Sequence, residues 1–201
     1  MAMKRFPITN VVGDLVDQHR DPDEKLYASL ELNQVAFPKT GMVVSQTPLG
    51  AAFTKAAPCE NGMWVVADKA AGAINAPAAA TDSPIGIVYT TEKEYDREHY
   101  GLQRFGRKIA GDYPRVGILG LGDTVTTNCL QYDTTNFADD AALDTALKAI
   151  ATTPLYVAIK AGSAVPEIVK TAPQSGIYAK IVKYYTIPNG GKGVKYQIMR
   201  V

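Results

Sequence analysis

Apolar residues in this chain fall in short runs, each entered and left through Gly, Pro, Asn or Ser, as expected of brief strands joined by tight crossovers. Met42-Val-Val-Ser45, Gly62-Met-Trp-Val-Val-Ala67 and Ile85-Gly-Ile-Val-Tyr89 are rich in β-branched and aromatic side chains and predict strands. Between the last two, residues 70–80 hold seven alanines. Gly72, Asn75 and Pro77 interrupt any helix there and favour a closely packed crossover. Arg115-Val-Gly-Ile-Leu-Gly-Leu-Gly-Asp-Thr-Val-Thr126 reads as two strands about a Gly-rich bend. Residues 139–150 predict a helix. Leu143, Leu147 and Ile150 share a face, acids fill the first turn, Lys148 lies in the last, and Pro154 follows. At the C-terminus, alternation from Ile177 to Ile187, a turn at Pro188-Asn-Gly-Gly-Lys-Gly193 and a return from Val194 to Val201 predict a hairpin braced by Tyr184, Tyr185 and Tyr196.

Two segments depart from this pattern. Residues 1–40 scatter their apolar positions, turn at Asp21-Pro-Asp-Glu-Lys25 and break at Phe37-Pro-Lys-Thr-Gly41, which reads as an N-terminal arm without a core of its own. Its Phe6, Ile8, Val11, Val12, Leu15, Leu26, Tyr27, Leu30 and Leu32 are too many apolar side chains for a tail that touches nothing, so they are expected to bury against a partner. Residues 91–113 form a charged insertion with nine acidic or basic side chains between Glu92 and Lys108 and four aromatics. A projecting loop or hairpin suits them, with Tyr95, Tyr100, Arg104 and Phe105 placed to touch a partner. The remainder, residues 41–201, is expected to form one β-rich domain.

Length and charge bound the function. At 201 residues, 46% hydrophobic and 20% charged, the chain can bury one good core. Its net charge of +1 supplies no overall field for nucleic acid or an anionic membrane. No stretch approaches the roughly 18 apolar residues of a membrane span. The balance is uneven, however: residues 112–150 carry six acids and two bases, and residues 151–201 carry one acid and seven bases. Such opposed patches can meet within one subunit or between copies.

Each candidate for chemistry has a structural reading that accounts for it better. Gly117-Ile-Leu-Gly-Leu-Gly122 leads into a strand and not a helix, so no helix N-terminus awaits a pyrophosphate. Asn189-Gly-Gly-Lys-Gly193 lacks phosphate-loop spacing and sits between antiparallel strands. Asp96, Glu98 and His99 are too closely spaced to converge on a metal from a strand or helix, which leaves a solvated loop. His19 and His99 are the only histidines, and Cys59 and Cys129 read as reduced, partly buried thiols. Trp64 reads as core in preference to a binding anchor. The expectation is a protein that is not an enzyme and uses no cofactor and no metal.

Gly62-Met-Trp-Val-Val-Ala-Asp-Lys-Ala70, the Ala-rich bridge, Asp82-Ser-Pro-Ile-Gly-Ile-Val88 and then Val116-Gly-Ile-Leu-Gly-Leu-Gly-Asp-Thr-Val125 resemble the strand succession of head decoration proteins of tailed bacteriophages, the lambda-type capsid cement proteins. The resemblance covers about residues 41–133; the insertion at 91–113 and everything after residue 134 are additional. Pattern and resemblance together predict a mainly β fold: a small β-barrel or β-tulip-like module of short strands, with the one short helix, extended N-terminal arm and C-terminal hairpin that the pattern supplies. The resemblance implies a homotrimer on the capsid exterior that bridges neighbouring copies of the major capsid protein, in a virion assembled in the host cytoplasm; charge and the lack of a long apolar run predict that the chain binds neither nucleic acid nor membrane. A tail-tube, neck or head-fibre structural protein is the alternative, and a small β-fold hydrolase a third reading.

Overall fold

The computed structural model describes residues 3–6, 43–44, 46–67, 69–89, 107–186 and 192–201. In chain order its elements are β1 (Met3–Arg5), β2 (Val43–Val44), β3 (Cys59–Glu60), β4 (Trp64–Val66), β5 (Ile85–Val88), β6 (Arg107–Lys108), β7 (Val116–Ile118), β8 (Thr124–Thr127), β9 (Gln131–Asp133), α1 (Asp140–Lys148), β10 (Tyr156–Lys160), β11 (Ser163–Val169), β12 (Tyr178–Thr186) and β13 (Lys192–Arg200). The chain is mainly β, as its pattern predicts.

A seven-stranded sheet runs β1-β9-β11-β10-β12-β13-β8, a four-stranded sheet runs β2-β7-β5-β4, and β3 pairs with β6. All neighbours are antiparallel except β9 and β11, which makes the large sheet mixed. Among the described residues no pairing joins β1 to β8, so that sheet is open and not closed into a barrel. Trp64, Ile85 and Ile87 fall on one face of the small sheet, while Val125, Val157, Ile168, Ile181, Val194 and Tyr196 fall on one face of the large sheet. Each apolar face covers the other, giving one shared core. Across it, Trp64 and Tyr196 meet edge to face at 5.9 Å, and the indole Nε1–H donates to the Tyr196 hydroxyl at 2.9 Å. The buried polar atoms of both rings are thereby satisfied.

The other face of the small sheet has its own cluster, in which Val65, Val88 and Val116 pack with Leu49, Phe53, Cys59, Met63, Ile74 and Cys129. Gly62 enters β4 at φ +93°, and a Cβ there would stand 2.6 Å from the Cβ of Cys129, so this position requires glycine on two counts. The Ala-rich stretch after β4 is a crossover, with a short 3-10 turn at Lys69–Ala71 and bridges from Ile74 to Leu49 and from Asn75 to Val66.

Helix α1 forms where the pattern placed it. Asp139 caps it by accepting from the Ala142 amide at 2.8 Å, and Leu143 and Leu147 enter the main core. The C-terminal hairpin is β12–β13, with its register shifted at two bulges.

One expectation is corrected at the N-terminus. The first residues are not a free arm, because β1 pairs with β9 as the outermost strand and Phe6 is buried in the main core. The Phe6 amide donates to the Leu130 carbonyl at 2.7 Å, and its ring meets Tyr184 edge to face at 6.4 Å. A residue in the chain's own core is not a partner contact, so Phe6 leaves the set of candidate attachment residues.

Candidate interaction surface

Of the other residues proposed to touch a partner, Ile8, Val11, Val12, Leu15, Leu26, Tyr27, Tyr95, Tyr100, Arg104 and Phe105 lie outside the described residues. What is described is how the charged insertion returns. Arg107 and Lys108 pair with Glu60 and Cys59, the Ala110 amide donates to the Phe53 carbonyl at 2.8 Å, and Leu49 and Asp112 bond through their backbones at 2.9 Å. Asp112 also accepts from the Ile109 amide at 2.9 Å. The C-terminal end of the insertion is therefore stitched to the loops that cover the second cluster.

A surface that sequence pattern did not single out lies on the outer face of the large sheet, opposite the main core. In β12, Ala179 and Ile181 point inward, so Tyr178 and Lys180 point outward; after a bulge at Val182 the outward position passes to Lys183. Lys180 stands opposite Gln197, and Gln197 opposite Thr124 of β8. Lys183 stands directly opposite Lys195. Like charges at opposed positions of a strand pair oppose folding, and the Lys183 ammonium lies over the Tyr185 ring, 5.2 Å from its centre.

Apolar side chains interrupt this basic face. Val182 and Met199, each the extra residue of a bulge, are 47% and 42% exposed, and Leu121, in the bend that bonds to Ile198, is 48% exposed. At one end Tyr156 and Tyr178 meet edge to face at 6.0 Å, with the Arg200 guanidinium 4.8 Å from the Tyr178 ring centre. Arg200 is held by the carbonyls of Gly176 and Pro173 at 2.7 and 2.9 Å.

The acidic segment lies on another part of the molecule and is only partly neutralised there. Asp144 of α1 accepts from the Tyr184 hydroxyl at 2.6 Å and pairs with Lys148 at 2.5 Å. The Lys148 bond first, and the Tyr184 bond after it, hold its carboxyl below the usual carboxylate range. The Tyr132 hydroxyl donates to Asp140. Asp139 and Asp140 remain exposed to solvent.

Two buried polar groupings do structural work. Arg5 donates to Glu60 at 3.1 Å and lies 4.0 Å from the sulfur of Cys129, tying β1 to β3. Burial pushes the Cys129 thiol up to about 12, so it is an uncharged, unreactive sulfur at neutral pH. Neither cysteine is in a disulfide and both are fully buried, deeper than their sequence setting suggested. On β11, Glu167 lies 3.6 Å from Lys160, and burial raises its carboxyl although Lys160 works in the opposite sense. Among the described residues no group of three or more His, Cys, Asp or Glu is arranged to hold a metal ion, and no helix is long and apolar enough to cross a membrane.

No protein-family model, no curated protein and no solved structure matches this chain.

Proposed function

We propose that this chain is a structural virion protein that binds the outside of a tailed-bacteriophage capsid and stabilises it by bridging neighbouring capsid subunits as a homotrimer. The observation that carries the reading is the fate of the three resembling segments. They become β4, β5 and β7, adjacent in one antiparallel sheet. That is the compact strand succession the resemblance to decoration proteins implies. The elements beyond it, α1 and β10 to β13, complete a sandwich in which β10 and β11 are covered on both faces, while the outward positions of the β12–β13 hairpin offer basic and apolar side chains. A surface built on strands holds its side chains in fixed register, which suits repeated binding to a regular lattice.

Fractionation of the source virus tests this. Recovery of the chain with intact heads, and loss of head stability to dilution or heat when it is removed, is the expected result. Recovery with detached tails instead would favour the tail-tube or neck reading, and turnover of a glycan or ester substrate by the purified chain would overturn the structural role.

A further inference from the structure

We infer that the outer face of the β12–β13 hairpin is the contact through which one copy of this chain docks on the next, receiving the exposed acidic N-terminal end of α1 from the neighbouring copy. This deepens the oligomeric part of the proposed function and rests on it.

Three observations meet here. The first is charge: Lys180, Lys183 and Lys195 share one outward face, and the outward register sets Lys183 against Lys195 with no acid among their cross-strand neighbours. The same chain carries the complement at a separate place, where Asp139 and Asp140 are both exposed at the start of α1. Residues 112–150 sum to −4 and residues 151–201 to +6; of the six acids Asp123 and Asp133 are buried and Asp144 pairs with Lys148, which leaves Asp139 and Asp140 as the exposed acidic pair at the start of α1. The second is apolar exposure, because Val182 and Met199 at the two bulges of the hairpin add apolar area that a purely ionic surface lacks.

The third is the character of the free sheet edge. Of the two edges of the large sheet, β1 is three residues long, exposes Lys4 and commits Arg5 to Glu60, and β8 is buried from Val125 to Thr127. Short, charged edges resist strand addition. Contact through the face avoids this obstacle. Because the basic and acidic patches are different surfaces of one chain, the contact is head to tail, and a head-to-tail contact that closes yields a ring such as the proposed trimer.

The experiment measures self-association of the full chain by sedimentation velocity, using wild type, Lys180→Glu/Lys183→Glu, Asp139→Asn/Asp140→Asn and the combination. Asparagine retains the oxygen that caps α1 and the one that accepts from Tyr132, so the acidic-end variant is expected to stay folded, with far-UV circular dichroism as the control. Each variant is expected to weaken association by at least about tenfold, the combination by less than the product of the two, and added salt to weaken the wild type. Unchanged association in both variants would overturn the inference while leaving oligomerisation standing. Wild type that stays monomeric at tens of micromolar would overturn it too, with head binding then judged separately by co-sedimentation. Intact self-association with lost binding to heads, or to heparin as a polyanion probe, in the lysine variant would assign the face to another partner and also overturn it.

Discussion

At the scale of single residues, close backbone approaches and buried charges set what the chain tolerates. Gly176 has φ +70°, and a Cβ built on it would lie 1.8 Å from the carbonyl oxygen of Ala80, a backbone atom that cannot rotate away. Gly111 also has positive φ, +86°, but open space around it. Gly176→Ala is therefore expected to cost well over about 2 kcal/mol in urea unfolding, and Gly111→Ala only about 1–2 kcal/mol, the left-handed penalty alone. Equal losses at the two sites would contradict the contact. Asp123 presents a different case. It is fully buried in the Gly120–Gly122 bend, where the Gly120 amide donates to one carboxylate oxygen at 2.6 Å and the other oxygen has no partner among the described residues. Burial raises its carboxyl above the usual carboxylate range, against the pull of that amide. The folded state thus holds this proton more tightly than the unfolded chain. Its contribution to stability is greatest below the ordinary carboxylate range and declines as pH rises through the raised folded value. Asp123→Asn should remove that decline. The difference between wild-type and variant stability, followed by denaturation from pH 3 upward, should grow in favour of the variant; a flat difference would contradict it.

At the scale of elements, the helix α1 is held by one cap and one buried stripe. Helix α1 is short, so packing carries it more than propensity does. Asp139→Ala should lower stability by about 1 kcal/mol through loss of the cap, whereas Asp139→Asn should be nearly neutral. Leu147→Ala, which leaves a hole in the main core, should cost about 2–5 kcal/mol. Chemical denaturation of the three variants orders these effects, and a cap loss equal to the core loss would mean that α1 is held from its end. The hairpin behaves differently because its two bulges re-aim the outward positions. Strict alternation through Val182 would have turned Lys183 inward, so the bulge there is what brings Lys183 to the face that Lys180 and Lys195 already occupy.

At the scale of the whole molecule, the N-terminus closes the sandwich at its β1 edge. Phe6→Ala is expected to cost about 3–5 kcal/mol, and deletion of residues 1–6 at least as much, read as a lowered unfolding midpoint. Unchanged stability on deletion would return these residues to the role of a free arm. Local pattern was enough to make strands legible wherever an apolar run was bracketed by Gly or Pro, as at β4, β5, β7 and the C-terminal hairpin, and to make α1 legible from its cap and its Leu143–Leu147 spacing, because those signals lie within a few residues of one another. It also determined the charge imbalance between the acidic and basic segments. Three things were decided only by tertiary structure. Phe6 entered the core because β1 found β9, more than a hundred residues away, a pairing no local window reports. The parallel contact of β9 with β11, strands separated by α1 and β10, made the large sheet mixed. And the basic outer face arose from register and bulges, since which side a lysine takes depends on the strand opposite it and not on its neighbours in sequence.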